Sequence, residues 1–323
     1  MSRILTGIQS SGVPHLGNIL GAILPAIELS KKHESLLFIA DLHAITTIKD
    51  KHMLQENTLA TAASWLAFGL DTKKNILYRQ SDITEVTELM WYLNCITPYP
   101  MLANAHSFKD KANKLSDVNA GLFTYPVLMA ADIILYNANI VPVGRDQLQH
   151  LEITRDIAKR FNYIYGETFI IPTAKTDDAK MIVPGTDGQK MSKSYNNYIN
   201  ILGPEKILKK QIMNILTDSK SLEDSKNPEE CNVFKIYKLI GSKADITELK
   251  HKYHNGGFGY GHAKNELLNL ILDKFKKPRA KYNELMSNPQ LIENELTNGK
   301  IKARDIAHKV LKKVRINLGL MRT

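Results

Sequence analysis

Two short segments of this chain combine residue types that can hold a polyphosphate. The first is Gly7-Ile8-Gln9-Ser10-Ser11-Gly12-Val13-Pro14-His15-Leu16-Gly17-Asn18. It joins a strand-like run to a helix-like one. Gly12 and Gly17 lack a Cβ, so backbone there can come close to a phosphate or a ribose. The helix that follows offers free N–H groups and a partial positive charge to an anion. Alone, such a segment also reads as an ordinary turn. The second segment, Lys190-Met191-Ser192-Lys193-Ser194, sets two lysines three apart among small residues. Flexible ammonium groups so spaced can clasp a pyrophosphate. A solvated basic loop has the same composition.

Asp132 is a signal of another kind. It is the lone carboxylate of the run Val-Leu-Met-Ala-Ala-Asp-Ile-Ile-Leu, residues 127–135. On a helix, Tyr125, Met129 and Asp132 share a face. A carboxylate in apolar surroundings needs a hydrogen-bond donor. A ligand N–H could supply it, and so could a neighbouring helix or a lysine.

The elements that must position these residues follow from periodicity. Arg3 to Ile8, Leu36 to Leu42, Ile76 to Gln80 and Asn139 to Val143 read as strands. Gly17 to Lys32, Met53 to Phe68 and Leu148 to Phe161 read as helices. The alternation predicts a parallel sheet with right-handed crossover helices. The stretch from about 84 to 136 reads as mostly helical, interrupted at Pro98, Pro100 and Pro126. Thr173 to Asn197 is polar and without period, which predicts a long functional loop. Beyond Pro204 the chain reads as helix throughout.

Composition narrows the classes. The 323 residues predict two domains. No stretch approaches the roughly 18 apolar residues of a membrane span, and Met1 to Leu5 lacks the build of a signal peptide. Cys95 and Cys231 are too few for a zinc site or disulfide framework and predict buried thiols in a reducing cytoplasm. The formal net charge is +10, which favours polyanionic partners. From Gly299 to Thr323 there are eight Lys or Arg and one acid, with Ala303, Ala307, Val310 and Val314 at helical spacing. That reads as an amphipathic helix whose basic face either meets RNA or is simply solvated.

Lys190 to Ser194 is identical to the Lys-Met-Ser-Lys-Ser signature of class I aminoacyl-tRNA synthetases. Pro14-His15-Leu16-Gly17-Asn18 resembles their His-Ile-Gly-His signature, with Leu for Ile and Asn for the second His. Further segments look like the bacterial-type tryptophanyl-tRNA synthetase family. They are Gly7 to Gly12, Ala40-Asp41-Leu42-His43-Ala44-Ile45-Thr46, Thr124-Tyr125-Pro126, Met129 to Tyr136, and Val141-Pro142-Val143-Gly144-Arg145-Asp146-Gln147. The likeness covers nearly the whole chain and is densest from 1 to 200. That family often has Thr at His15 and Glu at Arg145. His15 moves toward the general class I signature. Arg145 puts a base beside the nucleotide, where backbone can still serve.

The resemblance implies an α/β fold: a Rossmann-like parallel-sheet catalytic domain with a helical insertion, then a helical C-terminal domain. It assigns 1–185 to the catalytic domain, 186–196 to a mobile loop carrying the lysine signature, and 197–323 to a tRNA anticodon-binding domain. It implies tryptophan–tRNA ligase activity, with ATP as substrate, Mg²⁺ carried on the phosphates rather than on protein ligands, and tRNA(Trp) as partner. A cytoplasmic homodimer completes that expectation. Asp132 would accept the indole N–H, a donor with no acceptor capacity. His43, Tyr125, Met129, Val141 and Val143 would surround the ring, and Gln147 would stand near the ammonium. Gln9 would lie between amino acid and nucleotide. Ser10, Ser11, Gly12, His15, Gly17, Asn18, Gly144, Arg145, Asp146 and Val183 would hold the nucleotide. Lys190, Met191, Ser192, Lys193, Ser194 and Lys111 would serve the triphosphate. Three alternatives share parts of this pattern: tyrosyl-tRNA synthetase, a small-molecule nucleotidyltransferase, and a non-catalytic RNA-binding relative. Intact Lys190, Lys193, Asp132 and Gln147 weigh against the last.

Overall fold

A computed structural model describes residues 2–105, 108, 118–144, 147–175 and 182–322. Five parallel strands form one sheet: β1 (Arg3–Gln9), β2 (Glu34–Ala40), β3 (Ile76–Arg79), β4 (Ile140–Pro142) and β5 (Thr173–Lys175). Their order is β3-β2-β1-β4-β5. This is a Rossmann-like arrangement, with the switch point between β1 and β4, where a ligand crevice opens beyond the strands' carboxyl ends. In β2, side chains alternate between two cores: Leu37 and Ile39 join one, Leu36, Phe38 and Ala40 the other. Both faces are covered, which explains why β2 is an uninterrupted apolar run.

The first strand leads into a helical stretch made of Leu16–Asn18, a π-helical turn Ile19–Ile23, and Leu24–Ser30. The helices Thr84–Asn94, Tyr99–Ala103, Ala120–Ile134 and Leu148–Tyr165 cover one face. Lys51–Ala67 and the helices from Glu205 to Ser287 lie on the other side, around Leu16, Ile19, Ile23 and Trp65.

Five expectations need correction: of the two thiols expected to be buried, Cys95 is exposed while Cys231 is buried, and four others concern the elements. β2 ends at Ala40 rather than Leu42, because Asp41 starts a short helix, Asp41–Ala44. Pro126 does not interrupt its helix: Ala120–Ile134 runs through it. An interior proline costs about 3 kcal/mol, and burial of Val127, Leu128, Ala130, Ala131, Ile133 and Ile134 offsets it. The polar stretch after Thr173 contains β5, which gains its backbone bonds from β4 without any apolar signal of its own. Residues 214–231 lie outside any helix. There the buried Lys226 donates from Nζ to the carbonyls of Ser221 (2.7 Å), Leu222 (3.2 Å) and Asp224 (2.8 Å). Its ammonium thus ties an irregular loop that a helix would not need.

The last helix, Pro289–Asn317, packs along the exposed edge of β3. Its first half joins one core through Ile292 and Leu296; its second joins the other through Ala303, Ala307, Val310, Leu311 and Val314. The crossing falls at Gly299, where an added Cβ would stand 1.6 Å from the Leu77 carbonyl oxygen. Ion pairs fasten the helix: Arg79–Glu293 at 2.8 Å, Arg304–Glu85 at 2.9 Å and Arg315–Glu88. Part of the basic face is therefore spent on the protein itself, while Lys312 and Lys313 stay exposed.

A matched pair of glycines tests this packing. Gly299→Ala gains helix propensity but overpacks backbone against backbone, so it should destabilise the chain by about 2 kcal/mol or more. Gly261, also helical, has open space where a Cβ would go. Gly261→Ala should be neutral or stabilising by up to about 1 kcal/mol. Urea titration of both variants distinguishes them; equal effects would contradict the crossing described here.

Candidate active site

The crevice at the switch point opens into a cavity of about 590 Å³. The carboxyl end of β1 supplies Gly7 and Gln9, the end of β4 supplies Val141, Val143 and Gly144, and the Ala120–Ile134 helix supplies Tyr125, Met129 and Asp132. His43 and Gln147 complete the eight residues expected around the amino acid; all eight line this one cavity. Leu20, Gly21 and Ala22 from the π-helical turn line the wall. Phe38 lies over Gly7 so closely that a Cβ there would stand 2.4 Å from its Cζ. Glycine in β1 is what admits that ring.

Asp132 is 1 % exposed, and its carboxylate is held from two sides. Gln80 Nε2 donates to Oδ1 at 2.8 Å and to Oδ2 at 2.9 Å; His43 Nε2 reaches Oδ2 at 2.9 Å. Burial pushes the Asp132 carboxyl above the usual range, and the His43 and Gln80 hydrogen bonds oppose that. Around it, Gln9 Nε2 donates to the His43 carbonyl at 3.1 Å, and the Tyr125 hydroxyl lies 2.7 Å from His150 Nε2. Gln80 and His150 were not singled out in the sequence. The available signal for Gln80 was its place directly beyond an apolar strand, where α/β sheets put their ligand residues. For His150, one polar residue within a helix, there was none.

The two signature segments meet. Residues 183–197 fold as a hairpin closed by the Pro184–Lys190 bridge and by Met191 N–H donating to the Val183 carbonyl at 2.9 Å. The buried Asn197 organises it, accepting from Ser192 N–H at 2.7 Å and donating to Asp187 at 2.8 Å. Ser192 Oγ accepts from Ser194 N–H. This hairpin sits on the first turn: Gly17 N–H points at Met191 S at 3.3 Å, and Leu16 N–H donates to the Ile199 carbonyl at 2.9 Å. Gly12 has φ +129°, and a Cβ there would stand 2.7 Å from Lys193 Nζ. The positive φ is what requires glycine at this position, and the Lys193 ammonium lies close against it. Lys190 is exposed on the hairpin, Ser11 is exposed on the turn, and Ser10 is buried.

His15 and Asn18 form a reciprocal cap. Asn18 N–H donates to His15 Nδ1 at 3.3 Å, and His15 N–H donates to Asn18 Oδ1 at 3.1 Å. Burial, with help from the Lys193 charge, lowers the His15 pKa to about 4, so its ring is neutral near pH 7 and Nδ1 can accept. Burial likewise lowers the Lys193 pKa to about 8. The expected positions Lys111, Arg145 and Asp146 lie outside the described residues.

A parallel 3-2-1-4-5 sheet with both signatures in contact at its switch point defines the site of a class I aminoacyl-tRNA synthetase. The family described as tRNA synthetases class I (W and Y) matches residues 1–276. The tryptophan–tRNA ligase of Rhodopirellula baltica is 48% identical over 318 residues, covering 98% of this chain and 99% of its own length. That of Fusobacterium nucleatum is 49% identical over 322 residues, covering 99% of each. The crystal structure of tryptophanyl-tRNA synthetase from Campylobacter jejuni, complexed with ADP and tryptophan, superposes with a TM-score of 0.96 at 47% identity, covering 98% of this chain and 100% of that one. The chain belongs to the tryptophan–tRNA ligases of class I.

The low Lys193 pKa generates a pH prediction. The free ammonium holds its proton below about pH 8 and loses it above. A polyphosphate binds the charged form, so ATP affinity, measured by calorimetry without amino acid, should fall as pH rises past about 8. Lys193→Arg keeps its charge at every accessible pH and should flatten that limb. Wild-type affinity constant to pH 9.5 would contradict the assignment.

Proposed function

We propose that this tryptophan–tRNA ligase performs its two steps with the residues gathered at the switch point. In the first step, a tryptophan carboxylate oxygen attacks the α-phosphorus of ATP. The bond to the bridging oxygen breaks, giving tryptophanyl-adenylate and pyrophosphate. In the second, a terminal ribose hydroxyl of tRNA(Trp) attacks the carbonyl carbon of the mixed anhydride, and AMP leaves. No side chain becomes covalent. Catalysis is positioning plus electrostatic stabilisation, as in phosphoryl transfer generally.

Within that scheme Asp132 accepts the indole N–H, with Tyr125, Met129, His43, Val141 and Val143 about the ring, Gln147 near the ammonium and Gln9 toward the nucleotide. The observation that carries this reading is that these eight residues, dispersed in sequence, line one cavity whose floor is a buried carboxylate. Ser10, Ser11, Gly12, Gly17, Gly144, Arg145, Asp146, Val183 and Met191 hold the nucleotide. The capping atoms of His15 and Asn18 are already engaged with backbone, so their part is to shape the turn, leaving His15 Nε2 and Asn18 Nδ2 for ligand. Lys190, Lys193 and Lys111 neutralise charge on the departing pyrophosphate, and Ser192 and Ser194 shape the loop. Mg²⁺, when bound, would screen the charge of the phosphates.

We further propose that 1–185 acts as the catalytic unit, 186–196 as a loop that closes over ATP, and 197–323 as the part that meets tRNA and reads its anticodon. The exposed Lys312 and Lys313 support an electrostatic contribution there. A homodimer is supported by Trp91 and Tyr99, which expose 66% and 71% of their surface on neighbouring helices. A cytoplasmic enzyme fits the substrates. Among the described residues no helix is long and apolar enough to cross a membrane.

Stopped-flow measurement of adenylate formation tests the roles. Lys190→Ala and Lys193→Ala should each lower kcat by about 10²–10³-fold, the loss typical of one preorganised electrostatic donor, with little change in KM for tryptophan. Asp132→Ala should instead lower kcat/KM for tryptophan and leave ATP binding in place, since a site built on a substrate N–H discriminates by roughly 10⁴-fold. A rise in KM for ATP with kcat untouched would make the lysines ground-state contacts only. Unchanged kcat/KM in Asp132→Ala would remove it from recognition.

A further inference from the structure

We propose that Gln80 is the positioning residue that makes Asp132 a one-vacancy acceptor for the indole N–H. The inference rests on the reading of Asp132 given above and assigns its selectivity to a second residue. An ionised carboxylate offers about four acceptor directions. Gln80 Nε2 occupies one on each oxygen, and His43 Nε2 occupies another on Oδ2. Among the described residues, Oδ2 is then full and Oδ1 keeps one direction. The carboxylate cannot rotate to offer others without breaking a bond to Gln80.

Gln80 itself is fixed. It is fully buried, and its Oε1 accepts from Leu42 N–H at 3.0 Å. The amide therefore cannot flip: its NH₂ must face Asp132. The strand ends on either side are locked together, because Ser81 N–H donates to Asp41 Oδ1 at 2.9 Å and the Ser81 hydroxyl bonds Oδ2. Gln80 thus joins the ends of β2 and β3 to the Ala120–Ile134 helix. It supplies hydrogen bonds without charge, and these favour the ionised carboxylate, which only donors can approach. A phenylalanine ring edge in that direction leaves the acceptor unpaired, which is costly in a buried site. The titratable groups about Asp132 are His43, Asp41, Tyr78 and Tyr136. Of these His43 bonds it directly, and the others act through space.

The test compares tryptophan with its benzothiophene analogue, in which sulfur replaces the indole N–H, using wild type, Gln80→Met and Gln80→Leu. Met preserves the side-chain length and removes both donors; Leu is a second variant in case one folds poorly. The readout is the ratio of kcat/KM for the two amino acids within one preparation, which does not depend on the fraction folded. The ratio should fall tenfold to a hundredfold in both variants, through tryptophan alone, with the analogue within about threefold of wild type. The acid limb of tryptophan activation should also move to higher pH, because a buried carboxylate has lost a donor that opposed its protonation. A preserved ratio, or equal losses for both amino acids with an unmoved acid limb, would overturn the role of Gln80. A wild type with no preference between the two would instead overturn Asp132 as the indole acceptor, so the two failures are separable.

Discussion

The structure depends on keeping one carboxylate in the protein interior. Asp132 sits on a helix that is apolar around it, and burial raises the pKa of its carboxyl. It stays useful as an acceptor only because Gln80 and His43 reach it from the ends of two different strands. Those strands must end side by side, and parallel pairing of β2 with both β1 and β3 ensures that they do. The Ala120–Ile134 helix must also lie across the same opening, which it does by packing against the Leu148–Tyr165 helix and the second core. A one-residue slip of β3 would turn Gln80 to the other face and leave the buried carboxylate with His43 alone.

The phosphate side obeys the opposite logic. There a cation is held partly out of water, Lys193, resting against the Gly12 backbone at the start of the first turn. Burial lowers its pKa, and an incoming polyphosphate can supply the interactions that burial removed. The hairpin that carries this lysine is positioned by Asn197, while the turn beneath it is held by the His15–Asn18 cap. The Pro289–Asn317 helix closes the exposed edge of β3, the strand that leads directly into Gln80. Protein stability and substrate recognition therefore share an element far along the chain from either signature.

Much of this was legible in the sequence, for identifiable reasons. β1, β2 and β3 announce themselves by apolar runs between turn residues, and the sheet topology follows from strand–helix alternation. The lysine signature and the first turn were found as motifs, and the cavity residues came through family resemblance rather than through periodicity. What was missed depends on tertiary structure. β5 is Thr-Ala-Lys, whose strand character exists only through pairing with β4. The helix passes Pro126 because burial outweighs a lost hydrogen bond. Within residues 214–231, which leave helix, Lys226 satisfies the carbonyls of Ser221, Leu222 and Asp224. Gln80 is an ordinary polar residue until the strands are paired.

The central claim is that a buried carboxylate, aimed into a switch-point cavity, selects tryptophan for activation. Amino-acid-dependent exchange of labelled pyrophosphate into ATP, run with each of the twenty amino acids, tests it most directly. The account predicts exchange with tryptophan and a preference over tyrosine and phenylalanine of about 10³-fold or more. Exchange driven by tyrosine as well as by tryptophan would contradict it.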